Sequence, residues 1–296
     1  MIFYLLYELG HYVAVTIPLA ASYWLACSIA DMHYYLSGRD RDAVISNLKV
    51  VLNGKVSDKE LDEMVRGVFR NFAKYLVDFF RSSKVDGEYI KKYVSVEGMD
   101  NVKKGLSRGK GAIILSAHLG NWELGGFVMS SIYPLSAVVL THQNKMVNDF
   151  FTRQRLLGNM KPIEIGISLR ACYDTLKRNG LVALLGDRDF SNNGVNVEFF
   201  GKSAAMPKGP SLFSYRIGSC IIPTFMIRQP DDTFRLIAEE PIYPDTSKDE
   251  DTAVTQLIHR YLSVVESYIK RYPNQWYVFR KIWNNDIESL RPNTII

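Results

Sequence analysis

One histidine stands in a setting suited to proton transfer. In Ala117-His118-Leu119-Gly120-Asn121-Trp122-Glu123 it follows an apolar run, Ala112 to Ser116, that reads as a strand covered on both faces. It precedes a helical stretch from about Asn121 to Ser131. In an open α/β sheet, ligands gather beyond the carboxyl ends of strands, and His118 falls there. Imidazole takes up a proton near neutral pH, and an acid beside it would fix its tautomer and stabilise the imidazolium. Glu123 is the acid of this segment. Five residues along a regular helix turn through about 500°, which leaves the two side chains roughly 140° apart. They can meet only if His118 lies ahead of the helix, in the turn that contains Gly120. No G-x-S-x-G occurs in the chain. A base without its own nucleophile points to an attacking oxygen that belongs to a substrate.

The elements that must position this segment alternate from about Tyr93 onward. Strands are expected at 94–96, 112–116, 136–140, 181–185, 195–199, 221–227 and 234–238. Helices are expected at about 121–131, 145–157, from Ser168 to Gly180, and from Thr252 to Tyr272, where Pro273 ends the last one. This alternation predicts an α/β fold: a mixed, mostly parallel sheet flanked by helices. The small residues between Gly201 and Pro210 suggest a mobile lip. Residues 1–85 read as an N-terminal helical, membrane-associated segment, and residues 86–296 as the α/β core. Tyr12 to Ala30 is nineteen residues without a charge, a borderline length for a span, interrupted by Pro18 and flanked by tyrosines. It is expected to anchor the chain, embedded in a membrane or lying on it; a buried helix of a soluble core is the alternative. The opening residues lack the basic start and cleavage site of a signal peptide. Ser57-Asp-Lys-Glu60 is a capping box opening an amphipathic helix. Its Arg66, Arg70, Lys74 and Arg81 would face solvent or anionic lipid.

Composition narrows the classes. Of 296 residues, 47% are apolar and 23% charged, close to the globular average, which excludes a disordered or low-complexity chain. Lys and Arg exceed Asp and Glu by 36 to 31. That mild excess suits an anionic surface or a phosphorylated substrate and is too small to indicate nucleic acid. Cys27, Cys172 and Cys220 form no C-x-x-C pair and read as reduced thiols. The five histidines include no pair at helical ligand spacing, so no metal is implied. His142 and His259 receive no role.

Residues 111–126, GAIILSAHLGNWELGG, resemble the H-x4-D/E motif of glycerolipid acyltransferases. More narrowly, they resemble the bacterial lipid A biosynthesis acyltransferases and the related phosphatidylinositol mannoside acyltransferases. Asn47-Leu48, Gly186-Asp187-Arg188-Asp189, Val197-Glu198-Phe199-Phe200-Gly201, Met206-Pro207, Gly209-Pro210, Gln275-Trp276 and Arg280-Lys281 with Trp283 resemble further blocks of that family, so the likeness covers nearly the whole chain. The resemblance implies transfer of a fatty acyl group from a thioester to a glycolipid hydroxyl at the cytoplasmic face of the inner membrane. His118 would be the base. Glu123, or Glu198 as in some relatives, would be its acidic partner. Arg155 resembles an arginine that holds a phosphate, with Arg153 as the register alternative. Arg188, Asn121 and Lys208 are the other candidate substrate contacts, Lys208 lying near a helix start where amides can receive an anion. Arg188 stands where lipid A enzymes more often carry Gln and leans toward the mannoside branch. Acyl carrier protein is the first expected donor and acyl-CoA the second. The acceptor would be an anionic glycolipid, foremost a lipid A precursor, with a phosphatidylinositol mannoside or another (lyso)phospholipid acylated from acyl-CoA as the alternative. No cofactor is implied. A hydrolase, or a non-catalytic lipid-binding protein, is the rival reading.

Overall fold

Proline has no amide proton to continue a helix and drives the residue before it into extended backbone. Ile17 is accordingly extended (φ −93°, ψ 159°), and the uncharged N-terminal stretch folds as two helices, α1 (Ile2–Thr16) and α2 (Leu19–Leu36). The computed structural model describes residues 1–164, 168–190 and 193–283; among them, no helix is long and apolar enough to cross a membrane. Helix α3 (Gly38–Leu52) follows. Helix α4 (Asp58–Phe80) opens at the expected capping box, where the Ser57 amide donates to Glu60 at 2.8 Å and the Glu60 amide donates to the Ser57 hydroxyl at 3.3 Å. The basic row of α4 is paired within the chain while staying partly open to solvent, Arg66 and Arg70 being 36% and 44% exposed. Arg66 and Arg70 both fork onto Asp31 of α2, Lys74 reaches Asp232, and Arg81 donates to carbonyls at the end of α1.

The remaining elements are α5 (Gly87–Tyr93), β1 (Val94–Glu97), α6 (Met99–Leu106), β2 (Ala112–Ser116), α7 (Trp122–Ser130), β3 (Leu135–Val139), α8 (Lys145–Leu157), β4 (Lys161–Glu164), α9 (Ser168–Lys177), β5 (Leu181–Leu185), β6 (Val195–Phe199), β7 (Lys202–Met206), α10 (Gly209–Ile217), β8 (Cys220–Arg228), β9 (Phe234–Ala238) and α11 (Glu250–Arg271). Seven strands form one sheet in the order β1-β9-β8-β2-β5-β3-β4. Neighbours run parallel except β8 and β9. The mixed, mostly parallel α/β sheet is as expected, with fully buried β2 and β8 at its centre. Ile113, Leu115, Ile221 and Phe225 face one apolar core with α4 and α11. Ile114, Ile222, Met226 and Leu236 face a second with α7 and α8.

Two strands escape the sequence pattern. Strand β4 is short and carries Pro162, which a sheet tolerates at an edge, and β4 is an edge strand. Strand β7 lies in the tract read as a mobile lip. It pairs instead with β6 in a hairpin whose two turn residues, Phe200 (φ 53°) and Gly201 (φ 74°), both take the left-handed conformation of a tight two-residue turn.

A buried ion pair ties the N-terminal helices to the sheet. Asp78 near the end of α4 meets Arg228 at the end of β8, each side chain only 4% exposed. Tyr23 of α2 donates to Asp78 at 2.5 Å, and Arg228 donates to the Tyr23 oxygen at 3.1 Å. Removing one partner leaves the other charge buried without its counter-ion. Asp78→Ala is expected to destabilise the protein by about 3 kcal/mol, read as a lowered denaturant midpoint.

Candidate active site

Beyond β2 the chain turns sharply before α7, and the turn is held from two sides. The Gly120 amide donates to the Gln275 carbonyl at 2.9 Å, the Asn121 amide to the Met226 carbonyl at 2.8 Å, and the Tyr277 amide to the His118 carbonyl at 2.7 Å. Gly120 has φ +65°, and a Cβ there would run into the Met226 carbonyl oxygen, so only glycine fits. Asn121 caps α7 by accepting from the Leu124 amide at 3.0 Å and donates to Asp78 at 2.8 Å. This residue, expected to touch substrate, is 2% exposed and turned toward the protein.

The turn leaves His118 ahead of the helix, as the spacing requires, and its partner comes from a neighbouring strand. Strands β2 and β5 pair in parallel with Ser116 opposite Leu185. Two residues further on, the same register sets His118 beside Asp187. The His118 ring Nδ1 lies 2.8 Å from Asp187 Oδ1, while the His118 amide and the Trp276 indole N–H each donate to Oδ2 at 3.0 Å. An ionised carboxylate only accepts, so Nδ1 carries a proton, and in the neutral ring the lone pair falls on Nε2. Asp187 is fully buried. Burial alone would raise its pKa, but the neighbouring His118 and these hydrogen bonds outweigh it and hold the carboxyl below its ordinary value.

Glu123 and Glu198 lie elsewhere. Glu123 is 5% exposed and accepts from Arg155 Nη2 at 2.7 Å and Nε at 3.0 Å. Burial would lower the Arg155 pKa, yet the Glu123 charge holds it above the usual guanidinium value. The arginine expected to hold a phosphate thus has its fork filled by the acid expected beside the histidine. Arg153 pairs with Glu8 of α1. Glu198 is exposed on β6 and lines a small surface hollow with His259 and Glu266. Lys208 is exposed before α10. Sequence reasoning misses Asp187 and Trp276 as neighbours of the imidazole. The available signal was that Asp187 follows apolar β5 by the same two residues as His118 follows β2.

A cavity of about 630 Å³ opens beside His118. Its lining runs from exposed Phe190 and the rings of Trp122 and His118 to buried Met129, Leu135 and Met160, and a Cβ on Gly126 of α7 would run into the Met160 sulfur. Burial and Arg155 lower the pKa of His142, another lining residue. Two residues that line the cavity each hold a buried polar atom without a hydrogen-bond partner among the described residues, Ser116 Oγ and Arg188 Nε. Burial first, and then the neighbouring Arg280, pull the Arg188 pKa down to about 10; burial also lowers that of Arg280.

The structure thus sets a carboxylate-held histidine at the carboxyl edge of an α/β sheet, beside a largely apolar cavity, the place where enzymes of this class of fold bind substrate. The family model described as bacterial lipid A biosynthesis acyltransferase matches residues 2–285, so the chain belongs to that family and is an acyltransferase. It is 25% identical to a phosphatidylinositol mannoside acyltransferase of Mycolicibacterium smegmatis over 78% of this chain and 75% of that protein. It is 26% identical to the lipid A biosynthesis palmitoleoyltransferase of Escherichia coli over 74% and 71%. It is 22% identical to the Escherichia coli lipid A biosynthesis lauroyltransferase over 90% and 86%.

The depressed pKa of Asp187 links it to acid stability. Its contribution is complete above the ordinary aspartate pKa of about 3.9 and fades as pH falls through the lower folded value. Asp187→Asn is therefore expected to be less stable than the parent at neutral pH, with the gap in urea midpoint narrowing below about pH 4. A gap that stayed constant across that range would show that folding does not lower the Asp187 pKa.

Proposed function

We propose that this acyltransferase moves a fatty acyl group from an acyl thioester, borne by acyl carrier protein or coenzyme A, to a hydroxyl of a glycolipid, with His118 as general base. The observation that carries this reading is the Asp187-held imidazole at the side of the apolar cavity. Nε2 takes the proton of the acceptor hydroxyl as its oxygen attacks the thioester carbonyl. The tetrahedral intermediate then collapses and expels the thiolate, which receives the proton from the imidazolium. Asp187 stabilises that imidazolium, and its fixed hydrogen bond keeps the ring in the tautomer that can accept. The apolar cavity would take the acyl chain. Arg155 and Glu123, paired with each other, would shape its wall and fix α7 rather than contact the reacting atoms.

The relatives are named for lipid A biosynthesis and for phosphatidylinositol mannoside acylation. Both acceptors are glycolipids; a lipid A precursor is the first candidate and a mannoside the second. Residues 1–85 would hold the enzyme against the cytoplasmic face of the inner membrane. Supporting this, α1 exposes Ile2, Phe3, Leu5, Leu6 and Leu9, and α2 exposes Trp24, Ile29 and Met32, apolar side chains that water alone would not favour. The helices would lie in the interface.

Mass spectrometry of lipids from cells with and without the protein should reveal one glycolipid that gains an acyl chain only in its presence. His118→Ala should lower transfer by about 10²-fold or more with the fold intact. Full activity in that variant would end the mechanism, and release of free fatty acid with no acylated lipid would identify a hydrolase. Replacing Trp24 and Ile29 together with Asp should move the protein off anionic vesicles in a flotation assay; unchanged flotation would exclude this face as the contact.

A further inference from the structure

The turn from His118 to Asn121 is held by distant segments, and two of the holds run back to one buried carboxylate, that of Asp78. The first is direct. The Asn121 side-chain amide donates to Asp78 Oδ2 at 2.8 Å, while its oxygen accepts from the Leu124 amide at 3.0 Å. A carboxylate only accepts, so Asp78 fixes which way the Asn121 amide faces, and with it the cap of α7. The second hold passes through Arg228. Its guanidinium pairs with Asp78 Oδ2. Its backbone amide donates to Gln275 Oε1 at 3.1 Å, and its carbonyl accepts from Gln275 Nε2 at 2.9 Å. The Gln275 carbonyl in turn receives the Gly120 amide, and the next residue, Trp276, binds Asp187.

Tyr23 of α2 decides how that carboxylate is shared. Its hydroxyl donates to Asp78 Oδ1 at 2.5 Å. Arg228 Nη1 donates to the Tyr23 oxygen at 3.1 Å and to Asp232 at 3.2 Å, which leaves Asp78 Oδ2 to Asn121 and Arg228 Nη2. Arginine and carboxylate favour a two-bonded fork, and charge-assisted bonds are stronger than one from a neutral amide. Without the Tyr23 hydroxyl, one N–H of Nη1 is released to take Oδ1. The carboxylate then turns to complete the fork with Arg228, and Asn121 loses its acceptor.

We propose that Tyr23 and Asp78 are positioning residues for His118: they set the turn that carries the base, so α2 belongs to the active site and is not only an outer apolar face. This rests on the reading of His118 as the base. Reacting groups must be closely aligned, and a displacement of about 1 Å can lower a rate by about 10²-fold. The role is separate from the stability that the buried ion pair carries, because Tyr23→Phe leaves Asp78 and Arg228 in place. Tyr23 is 6% exposed and Trp24 beside it 72%, so the inner side of α2 serves the turn while the outer side stays open.

Three variants of the full chain test this. Tyr23→Phe deletes one hydroxyl and keeps the ring. Asn121→Ser keeps a helix cap but is too short to reach Asp78. Asp31→Asn, the control, weakens the contact of α2 with Arg66 and Arg70 away from the turn. The Nδ1–H resonance of the His118 imidazole in ¹H–¹⁵N spectra reports the base directly. Thiol release from palmitoyl-CoA, in vesicles of the source cell's lipids, reports turnover. In Tyr23→Phe and Asn121→Ser the resonance is expected to shift or broaden, and kcat to fall about tenfold with KM changed less than about twofold. Asp31→Asn should lower the urea midpoint and leave resonance and kcat at the parent's values. An unmoved His118 resonance in Tyr23→Phe overturns the proposal even if kcat falls, because the loss would not run through the base. A moved resonance with the parent's kcat overturns it as well. So does an equal change in Asp31→Asn, which would follow stability alone. A parent that releases no thiol and acylates no lipid removes the acyl-transfer reading, while a resonance that moves in Tyr23→Phe and not in Asp31→Asn still sustains the hold on His118.

Discussion

The site depends on the parallel register between β2 and β5. With Ser116 opposite Leu185, the two chains leave the sheet side by side, and residues two positions beyond each strand must face one another. A fully buried carboxylate is unfavourable unless it is ionically and hydrogen-bond compensated. Asp187 receives the imidazole, a backbone amide and an indole N–H. The indole comes from Trp276, so the chain after α11 must return to the sheet edge to complete the set. The Gln275 carbonyl and the Tyr277 amide hold the Gly120 turn from the same segment. A slip of one residue in that parallel pairing would turn alternate side chains to the opposite face and dissolve the arrangement.

Buried charge organises the rest of the cavity wall. Glu123 and Arg155 cancel on one side, and Asp78 and Arg228 cancel beneath the turn, where Asn121 joins them to the cap of α7. The helical phase explains why Glu123 serves Arg155. It lies on the first turn of α7 while His118 precedes the helix, and its side chain projects toward α8, which supplies the arginine. Arg188 and Arg280 also line the cavity, offset only through space by Asp187 and Asp189, with no carboxylate hydrogen-bonded to either among the described residues. The N-terminal helices take part in the same economy of charge through Tyr23 and Asp31, while their outward faces remain apolar.

Elements with strong periodicity were readable in advance. The apolar run Ala112 to Ser116 is a central strand, the capping box at Ser57 opens α4, and Lys145–Leu157 is a helix. The misreadings have local causes. Lys161–Glu164 is too short and contains a proline, and Lys202–Met206 is rich in small residues whose strand form comes from pairing with β6. The uncharged run from Tyr12 to Ala30 has the composition of a span, but Pro18 divides it, and side chains such as Ala14, Tyr23 and Ala30 pack into the protein. The basic residues of α4 do lie on a partly exposed face, as read, but sequence spacing did not reveal the Asp31 and Asp232 that pair with them.

The amino-acid sequence by itself determined the family, the α/β class, the strand that delivers His118 and the need for a turn before the helix, because each rests on local spacing or on contiguous motifs. Only the tertiary structure decided which acid holds the imidazole and which arginine is ion-paired in the cavity wall. Asp187 lies 69 residues from His118, and Trp276 lies 89 from Asp187. Their meeting is set by strand order and register across the sheet, which no local pattern encodes. Glu123 and Arg155 were both visible as charged candidates, and it is their packing against each other that moved the acidic role to a different residue.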